Sequence, residues 1–437
     1  MFDIRLIREN AKLVKENIKK KYEDDKLALV DELIEKDLLW RNIKSKTDDL
    51  RHERNAISAQ INKLKKEKKD ASDLIAKAKE IPGKIEKSDK EADALKSRID
   101  DILKTIPNII HESVPIGKND SENVVREVLG EPTKLAFEPK SHVELCEKLG
   151  IADFDASSRV AGNGFFYLKG ALSLLNQALI RFSIDFMVSK GYTFVEPPLM
   201  LRQNIVDGTV DFNFFKDMVY KIENEDLYLI GTSEHALIGM FNSQIIDESE
   251  LPLKLCGYSQ CFRKEIGSHG IDEKGLFRTH QFNKVEQVVI CKPEASYDLY
   301  DELMNNSKEI YKALGLPARV LESCSGDLGD LKAKGADLEV FSPRSKSYFE
   351  VGSCSNLTDA QARRSNIRIR ARDGSLFLPH TLNNTAVATS RAMVAIIENF
   401  QTEKGTVIVP EILRPYMHGL KEITADWKED LKKLYNI

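Results

Sequence analysis

Apolar residues recur at heptad spacing along the first hundred residues, in two runs that can face each other. Trp40, Thr47, Arg54 and Ile61 mark one seam position, and Ile43, Leu50, Ile57 and Leu64 mark the other. A second series, Leu74, Ala78, Ile81, Ile85, Ser88, Ala92, Leu95, Ile99, Ile102 and Ile106, is spaced by four and three in alternation. Such spacing keeps one stripe of each helix turned toward a partner. With the short polar link Lys68–Asp73 between the runs, it predicts an antiparallel helical hairpin. Each helix should extend roughly 45–50 Å at 1.5 Å per residue. Ser72 or Asp73 is placed to cap the returning helix, and Pro82-Gly83 to kink it. Arg54 is a polar seam residue that snorkels or marks register. Residues 1–25 also read as helical.

From Pro107 to about Gly164 the pattern is broken by Pro107, Pro115, Pro132 and Pro139. A domain boundary falls near Pro107–Gly117, giving a helical arm over residues 1–110 and a body over residues 111–437. Within the irregular stretch, SHVELCEKLG predicts a short helix. Leu172, Leu175, Leu179, Phe182 and Phe186 predict a helix over Ala171 to Ser189, followed by Gly191 and a strand ending in EPPLM. Asp226–Ile230 is strand-like and leads through Gly231 into TSEH, where Thr232 or Ser233 should cap a helix over Glu234–Phe241. Another helix is expected near Tyr297–Leu314. HTLNNTAVATSRAMVAIIENFQ reads as a polar turn entering an amphipathic helix that buries Ala392, Ile396 and Ile397. In the closing segment Lys421–Ile437, Trp427, Leu431 and Leu434 predict a short amphipathic helix with no assigned role.

The stretch Phe262 to Glu286, FRKEIGSHGIDEKGLFRTHQFNKVE, concentrates the chemistry. Two strand-like runs flank a polar loop (Ile266 to Leu276) holding three glycines, a hairpin with a long connection. Alternation puts Arg263 and Glu265 on one face of the first run, and Arg278, His280, Phe282 and Glu286 on one face of the second. If both faces line one cleft, it holds two guanidiniums suited to phosphates, a ring suited to a base, and carboxylates suited to an ammonium or a metal. Salt-bridging residues on a solvated sheet would alternate in the same way. His280, a histidine beside carboxylates on a sheet, reads as a structural hydrogen-bonder and stays outside the catalytic set.

Composition narrows the classes. Hydrophobic residues make up 42% and charged residues 31% of the 437, as in a soluble globular chain with an extra, highly charged element. The longest apolar runs look far short of a membrane span. MFDIRLIREN has early acidic residues and no apolar core with a cleavage site, so no signal or transit peptide, no membrane association and a cytoplasmic location are expected. The six cysteines are scattered without a CxxC pair, which points to reduced core thiols. Residues 1–100 hold 26 Lys and Arg against 22 Asp and Glu, a charge of +4, so the remainder carries −8 of the total −4. Lys63, Lys65, Lys66, Lys68 and Lys69 cluster near the hairpin tip, either as a solvated tip or as a grip for a polyanion. No GxxxxGK[ST] and no HExxH occurs, which argues against a P-loop ATPase and a zinc protease.

FRKE followed by FRTHQF resembles motif 2 of the class II aminoacyl-tRNA synthetases, and its HQFxKVE continuation is similar to the seryl-tRNA synthetases among them. The Ala171–Ser189 helix with EPPLM resembles motif 1, which builds the class II dimer interface. FEVGSCSN at Phe349–Asn356, the TDAQARR that follows, and the HTLNNTAVATSR block, similar to motif 3, occur in the family's order. The resemblance runs from the heptads to about Leu420. It implies an α+β fold, with an antiparallel sheet flanked by helices and preceded by an antiparallel coiled-coil arm. It also implies ATP-dependent activation of L-serine, charging of tRNA(Ser) with tRNA(Sec) left open, and a homodimer through motif 1, with no DNA partner.

By the same resemblance, Arg263 bridges the α-phosphate and the substrate carboxylate, and Arg278 and Arg391 meet the outer phosphates. Phe282 stacks on adenine, Glu265 reads its amino group, and Glu350 with Ser353 places Mg2+. Arg263, Glu350 and Arg391 form the implied catalytic set. Thr232, Glu234, Arg263, Glu286, Asn383 and Thr385 receive serine, while the five tip lysines grip the tRNA backbone. Two positions depart from the family pattern: Gly352 stands where many relatives have serine, and Ser390 where they often have glycine. A paralogue charging a carrier protein would lack the arm. A non-catalytic RNA binder would have lost Arg263, Arg278, Glu350 or Arg391, and all four are present.

Overall fold

The computed structural model describes residues 2–210, 218–265 and 275–435, in two compact units, Met1–Pro107 and Asn108–Ile437. In the first unit α1 (Ile4–Lys20) precedes two long helices, α2 (Leu27–Lys66) and α3 (Ser72–Thr105). Ion pairs fix the direction of the long pair: Arg98 meets Glu32 at 2.7 Å, Arg51 meets Asp89 at 3.0 Å, and Lys77 meets Glu53 at 3.5 Å. Partners near the start of one helix lie near the end of the other, so the two are antiparallel. Thr47, Ile57, Ile81, Ile85, Ala92, Ile99 and Ile102 are buried along the seam, which is the burial that stabilises such a pair.

Four sequence expectations change here. Helix α2 has 40 residues, about 60 Å, because it starts at Leu27, well before the heptads become regular. Arg54 is exposed and lies outside the seam. Helix α3 continues through Pro82 without a break. Pro82 is exposed and a β-carbon on Gly83 would meet nothing within 4 Å, so the missing donor lies on the solvent side, away from the seam. The α3 start is held by neither Ser72 nor Asp73 as a capping side chain: Asp70 Oδ1 accepts from the Ser72 N–H (3.0 Å) and hydroxyl (2.6 Å).

The second unit is built on an eight-stranded sheet. Its strands are β1 (Val124–Leu129), β2 (Thr193–Val195), β3 (Leu253–Phe262), β4 (Gln281–Cys291), β5 (Ala318–Glu322), β6 (Lys334–Ser342), β7 (Ser347–Asn356) and β8 (His380–Ala388). They lie in the order β1-β5-β6-β7-β8-β4-β3-β2, antiparallel except for the β2–β3 pair. The accompanying helices are α4 (His142–Leu149), α5 (Ala171–Ser189), α6 (Ser233–Gly239), α7 (Ser296–Ala313), α8 (Thr389–Asn399) and α9 (Trp427–Tyr435). A full capping box, Ser141 with Glu144, starts α4, and Gly150 in the left-handed region ends it. In the core, Leu172, Leu175 and Leu179 of α5 join Val285 and Val289 of β4 and Ala392, Ile396 and Ile397 of α8.

Helix α5 is, after all, long and apolar enough to cross a membrane by length and composition, but 61% of that window is buried inside this unit. The strand before EPPLM stops at Val195, ahead of Pro197, and Met200–Leu201 forms a separate two-residue strand. HTLNNTAVA is a central strand, β8, and not the polar turn that its composition predicts. Its polar side chains are buried but matched. Asn384 Nδ2 donates to the Leu303 carbonyl (2.7 Å) and Ser307 Oγ (2.9 Å), both on α7. Trp427, Leu431 and Leu434 of α9 pack against the core, and Gly170 is needed beneath Trp427, since a β-carbon there would lie 2.2 Å from the indole.

Candidate active site

Strand register assembles one half of the site. Glu286 on β4 lies directly opposite Thr385 on β8 and Gly257 on β3. Thr232 is the N-cap of α6: its Oγ1 accepts from the Glu234 N–H at 3.2 Å and donates to Glu286 Oε2 at 3.3 Å. One threonine thus ends a loop, starts a helix and orients a buried carboxylate. Glu234 accepts from Gln361 Nε2 at 2.8 Å and from Asn383. Thr232, Glu234, Glu286, Asn383 and Thr385, distant in sequence, therefore meet in one pocket.

The charges of this pocket are constrained. Burial, and then the charge on Glu286, push the Glu234 carboxyl up to about 7. Lys284, buried two residues before Glu286 on the same strand face, forms an ion pair with it. Burial takes the neighbouring His235 down to about 3, with Lys284 and Arg263 adding to the effect, so this histidine is neutral. Two carboxylates that share one pocket disfavour each other's charge, and an incoming ammonium would relieve that.

The other half lies past the strand ends. The β3–β4 ladder closes at Phe262 opposite Gln281, so Arg263, Glu265, Arg278 and His280 lie just beyond it and their faces are not set by register. The backbone turns away there, with Glu265 at φ 47 and Gly275 at φ 127. Of the glycine-containing loop Ile266 to Leu276, residues 266–274 lie outside the described residues. Arg263 Nε donates to the Gly231 carbonyl at 3.1 Å, and its guanidinium lies 5.4 Å from the Phe282 ring. Arg391 Nη1 donates to the Glu350 carbonyl oxygen (2.8 Å) and to its Oε2 (2.9 Å), with the guanidinium 5.3 Å from the Phe277 ring. Burial works against charge on Glu350, but Arg391, Lys332 and Arg263 together hold its carboxyl below the usual range. Arg391 therefore binds Glu350 directly, while Arg263, from a separate segment, is near enough only to add to the positive field on it. Arg278 is exposed at the foot of the loop.

His280 acts as a structural hydrogen-bonder. Its Nδ1 lies 2.9 Å from the Arg263 carbonyl and 3.0 Å from the Tyr220 hydroxyl, and its ring stacks on Phe165. These contacts place the Arg263 backbone.

Sequence reasoning missed Asp337 and Lys332. Asp337 on β6 lies opposite Ser353 on β7 and hydrogen-bonds to it, and Lys332 Nζ donates to Ser353 Oγ at 3.3 Å. Burial, then the charge on Glu350, push the Asp337 carboxyl up to about 7. The run ADLEV alternates, so one face holding Asp337 was legible, but its register against FEVGS was not. Gly352 also gains a reason: a β-carbon there would lie 3.1 Å from Thr385 Cβ. Among the described residues, no three His, Cys, Asp or Glu side chains cluster as a metal cage. Two carboxylates and a hydroxyl suit Mg2+ shared with phosphates, an ion that binds few protein ligands. In the helical unit, Lys63, Lys65, Lys66, Lys68 and Lys69 are all exposed at the α2–α3 turn, with Lys69 paired to Glu67 at 2.8 Å.

Known proteins match both units. Residues 1–110 match the family model for the seryl-tRNA synthetase N-terminal domain, and residues 217–400 that for the tRNA synthetase class II core domain (G, H, P, S and T). The serine--tRNA ligase of Methanocella arvoryzae is 46% identical over 423 residues, covering 96% of this chain and 100% of that protein. The chain belongs to the seryl-tRNA synthetase family. The serine--tRNA ligase of Pyrococcus horikoshii is 44% identical over 451 residues, 98% of this chain and 99% of that one. The crystal structure of the P. horikoshii seryl-tRNA synthetase complexed with ATP superposes with a TM-score of 0.91, covering 97% of this chain and 99% of the other. That of the Naegleria fowleri cytoplasmic enzyme in complex with AMP does so with 0.86 at 33% identity, covering the same shares. The α+β class with a large antiparallel sheet and long N-terminal helices is thus the family's own fold.

Proposed function

We infer that this chain is a serine--tRNA ligase. It activates L-serine with ATP to seryl-adenylate and transfers the seryl group to the 3′ end of tRNA(Ser), releasing pyrophosphate and then AMP. The observation that carries this reading is the junction of two half-sites. Arg391 pairs with Glu350 in a field to which Arg263 adds, and in the other half the Thr232 hydroxyl bonds Glu286, which lies opposite Thr385 on the next strand and faces Glu234.

In the first step a serine carboxylate oxygen attacks the α-phosphorus and pyrophosphate leaves. No protein nucleophile is needed; two anions must be aligned and the charge on the five-coordinate phosphorus met by fixed cations. Arg263, at the boundary of the two halves, meets the α-phosphate and the serine carboxylate. Arg391 and Arg278 receive the outer phosphates, Phe282 offers its ring to adenine, and Glu265 its carboxylate to the amino group. Glu350 and Ser353 would hold Mg2+, with Asp337 behind Ser353, and the ion supplies charge neutralisation to the phosphates. Glu234 and Glu286 take the ammonium, while Glu286 and Thr385, with Asn383 nearby, read the hydroxyl. A pocket with those groups stranded rejects alanine by about 10⁴-fold, and threonine is excluded by size. In the second step a hydroxyl of the tRNA's terminal ribose attacks the adenylate carbonyl and AMP leaves.

Residues 1–110 serve as the tRNA-binding arm through Lys63, Lys65, Lys66, Lys68 and Lys69, and residues 111–437 as the catalytic domain. Pairing of two chains through the Ala171–Ser189 helix and a cytoplasmic location complete the reading. Serine-dependent exchange of pyrophosphate into ATP, followed by charging of tRNA(Ser), tests it. Exchange with another amino acid instead of serine overturns the substrate.

A further inference from the structure

The five-residue helix Ala360–Arg364 lies within TDAQARR and holds none of the residues assigned above to serine, ATP or Mg2+. One of its side chains nevertheless reaches the serine pocket. Gln361 is 1% exposed, and its amide makes three hydrogen bonds. Nε2 donates to the Thr209 carbonyl at 3.1 Å and to Glu234 Oε1 at 2.8 Å, while Oε1 accepts from the Thr381 hydroxyl at 2.7 Å. A carbonyl oxygen can only accept, so Thr209 dictates which end of the amide carries the N–H groups. The same orientation aims the second N–H at Glu234. Every capacity in this amide but one acceptor lone pair is therefore used, and no rotation keeps all three bonds.

We propose that Gln361 is a positioning residue for amino-acid selection: its amide fixes the direction of the Glu234 carboxylate and favours its charged form, so that it can receive the substrate ammonium. This rests on the reading of Glu234 as an ammonium acceptor. The surroundings make such a hold necessary. Glu286 and Lys284 face Glu234 from β4, Asn383 from β8, and His235 follows it on α6. Burial and the Glu286 charge both oppose ionisation of Glu234, and the Gln361 hydrogen bond is the foremost of the contacts that favour it. The hydrogen bonds of Gln361 go to Thr209, Glu234 and Thr381 and to none of Arg263, Arg278 and Arg391, so its effect falls on serine rather than on ATP.

The test compares Gln361→Glu and Gln361→Leu with the unaltered full chain in pyrophosphate exchange, with serine and ATP varied separately from pH 6 to 9. The glutamate variant sets a carboxyl against the Thr209 carbonyl and Glu234, two acceptors. Its KM for serine should rise about tenfold or more while that for ATP stays within about twofold. The pH below which serine binding weakens should move upward. Gln361→Leu, apolar, one heavy atom smaller and without donors, should also raise the serine KM and serves if the glutamate variant folds poorly. A role confined to the Thr209 carbonyl would lower Tm and raise both KM values together without moving the pH profile, and that outcome overturns the proposal. Crystal structures of the two variants give a readout independent of substrate identity. Glu234 turned from its present direction supports the proposal, and Glu234 unmoved in both refutes it even if another amino acid proves to be the substrate.

Discussion

Glu234→Gln separates the cost of the serine pocket from its use. The carboxyl is raised from 4.5 to about 7 in the folded chain, by burial first and by Glu286 second. A group raised in this way contributes stability below its unfolded value, near pH 4.5, and loses it as pH rises through 7, because the folded state binds the proton more tightly. Each unit corresponds to 1.36 kcal/mol, so ionised Glu234 costs the free enzyme at most about 3 kcal/mol above pH 7. Glutamine keeps the shape and cannot ionise. At pH 8 the variant should be the more stable protein; at pH 5 most of that difference should be gone, and below pH 4.5, where Glu234 is protonated in both states, the two should match. For a unit of about 330 residues with an unfolding entropy near 2.1 cal/mol/K per residue, the gain is roughly 4 °C in Tm. Scanning calorimetry at pH 8 and pH 5, on protein without ligands, measures it. Serine-dependent pyrophosphate exchange should be lost in the same variant, since the ammonium then has one carboxylate fewer. Parallel stability of variant and parent at both pH values would falsify the electrostatic reasoning, because the pocket would then impose no penalty on the charge.

Three further outcomes are expected. In the unaltered enzyme the KM for serine should climb as pH drops below about 7, with the KM for ATP much less affected, since protonated Glu234 no longer attracts an ammonium; a flat serine profile between pH 6 and 8 counts against it. Arg391→Ala removes both hydrogen bonds to Glu350 and should lower the exchange kcat by about 10²–10³, the loss seen when one preorganised charge-stabilising donor is removed; a loss under tenfold would show that Arg391 serves only to pair Glu350. Neutralising Lys63, Lys65, Lys66, Lys68 and Lys69 together should weaken tRNA charging, leave pyrophosphate exchange intact, and flatten the salt dependence of tRNA binding by up to ~0.9 in log–log slope for each phosphate no longer neutralised; equal loss in both assays would place those lysines outside tRNA recognition.

The long helices were legible because a heptad stripe is a property of the chain itself. Their lengths and caps were less so: α2 starts where the stripe is not yet regular, and Asp70, outside the helix, holds the α3 start. The eight strands are harder to read, because a buried polar strand such as β8 looks like a turn until α7 supplies partners for Asn384. Thr232, Glu234, Glu286, Asn383 and Thr385 could be named from motifs because the pocket is made of motif residues. Lys284 and Gln361 also stand in motifs, HQFxKVE and TDAQARR, but nothing there shows their partners, and Asp337 and Lys332 lie outside the motifs. Each acts through a neighbour fixed only by strand register or by the packing of a short helix, and register is a long-range quantity. Register stops enforcing alternation at Phe262, one residue before Arg263, yet Arg263 still meets Phe282 of the facing run.

The three ion pairs between α2 and α3 match at set intervals along the hairpin and make it a ruler of set length. Sliding one helix by a single turn separates all three at once, whereas cutting one heptad from each helix preserves the remaining matches and draws the lysine-bearing tip back by about 10 Å. The reach of the hairpin can thus be altered without touching the lysines at its tip.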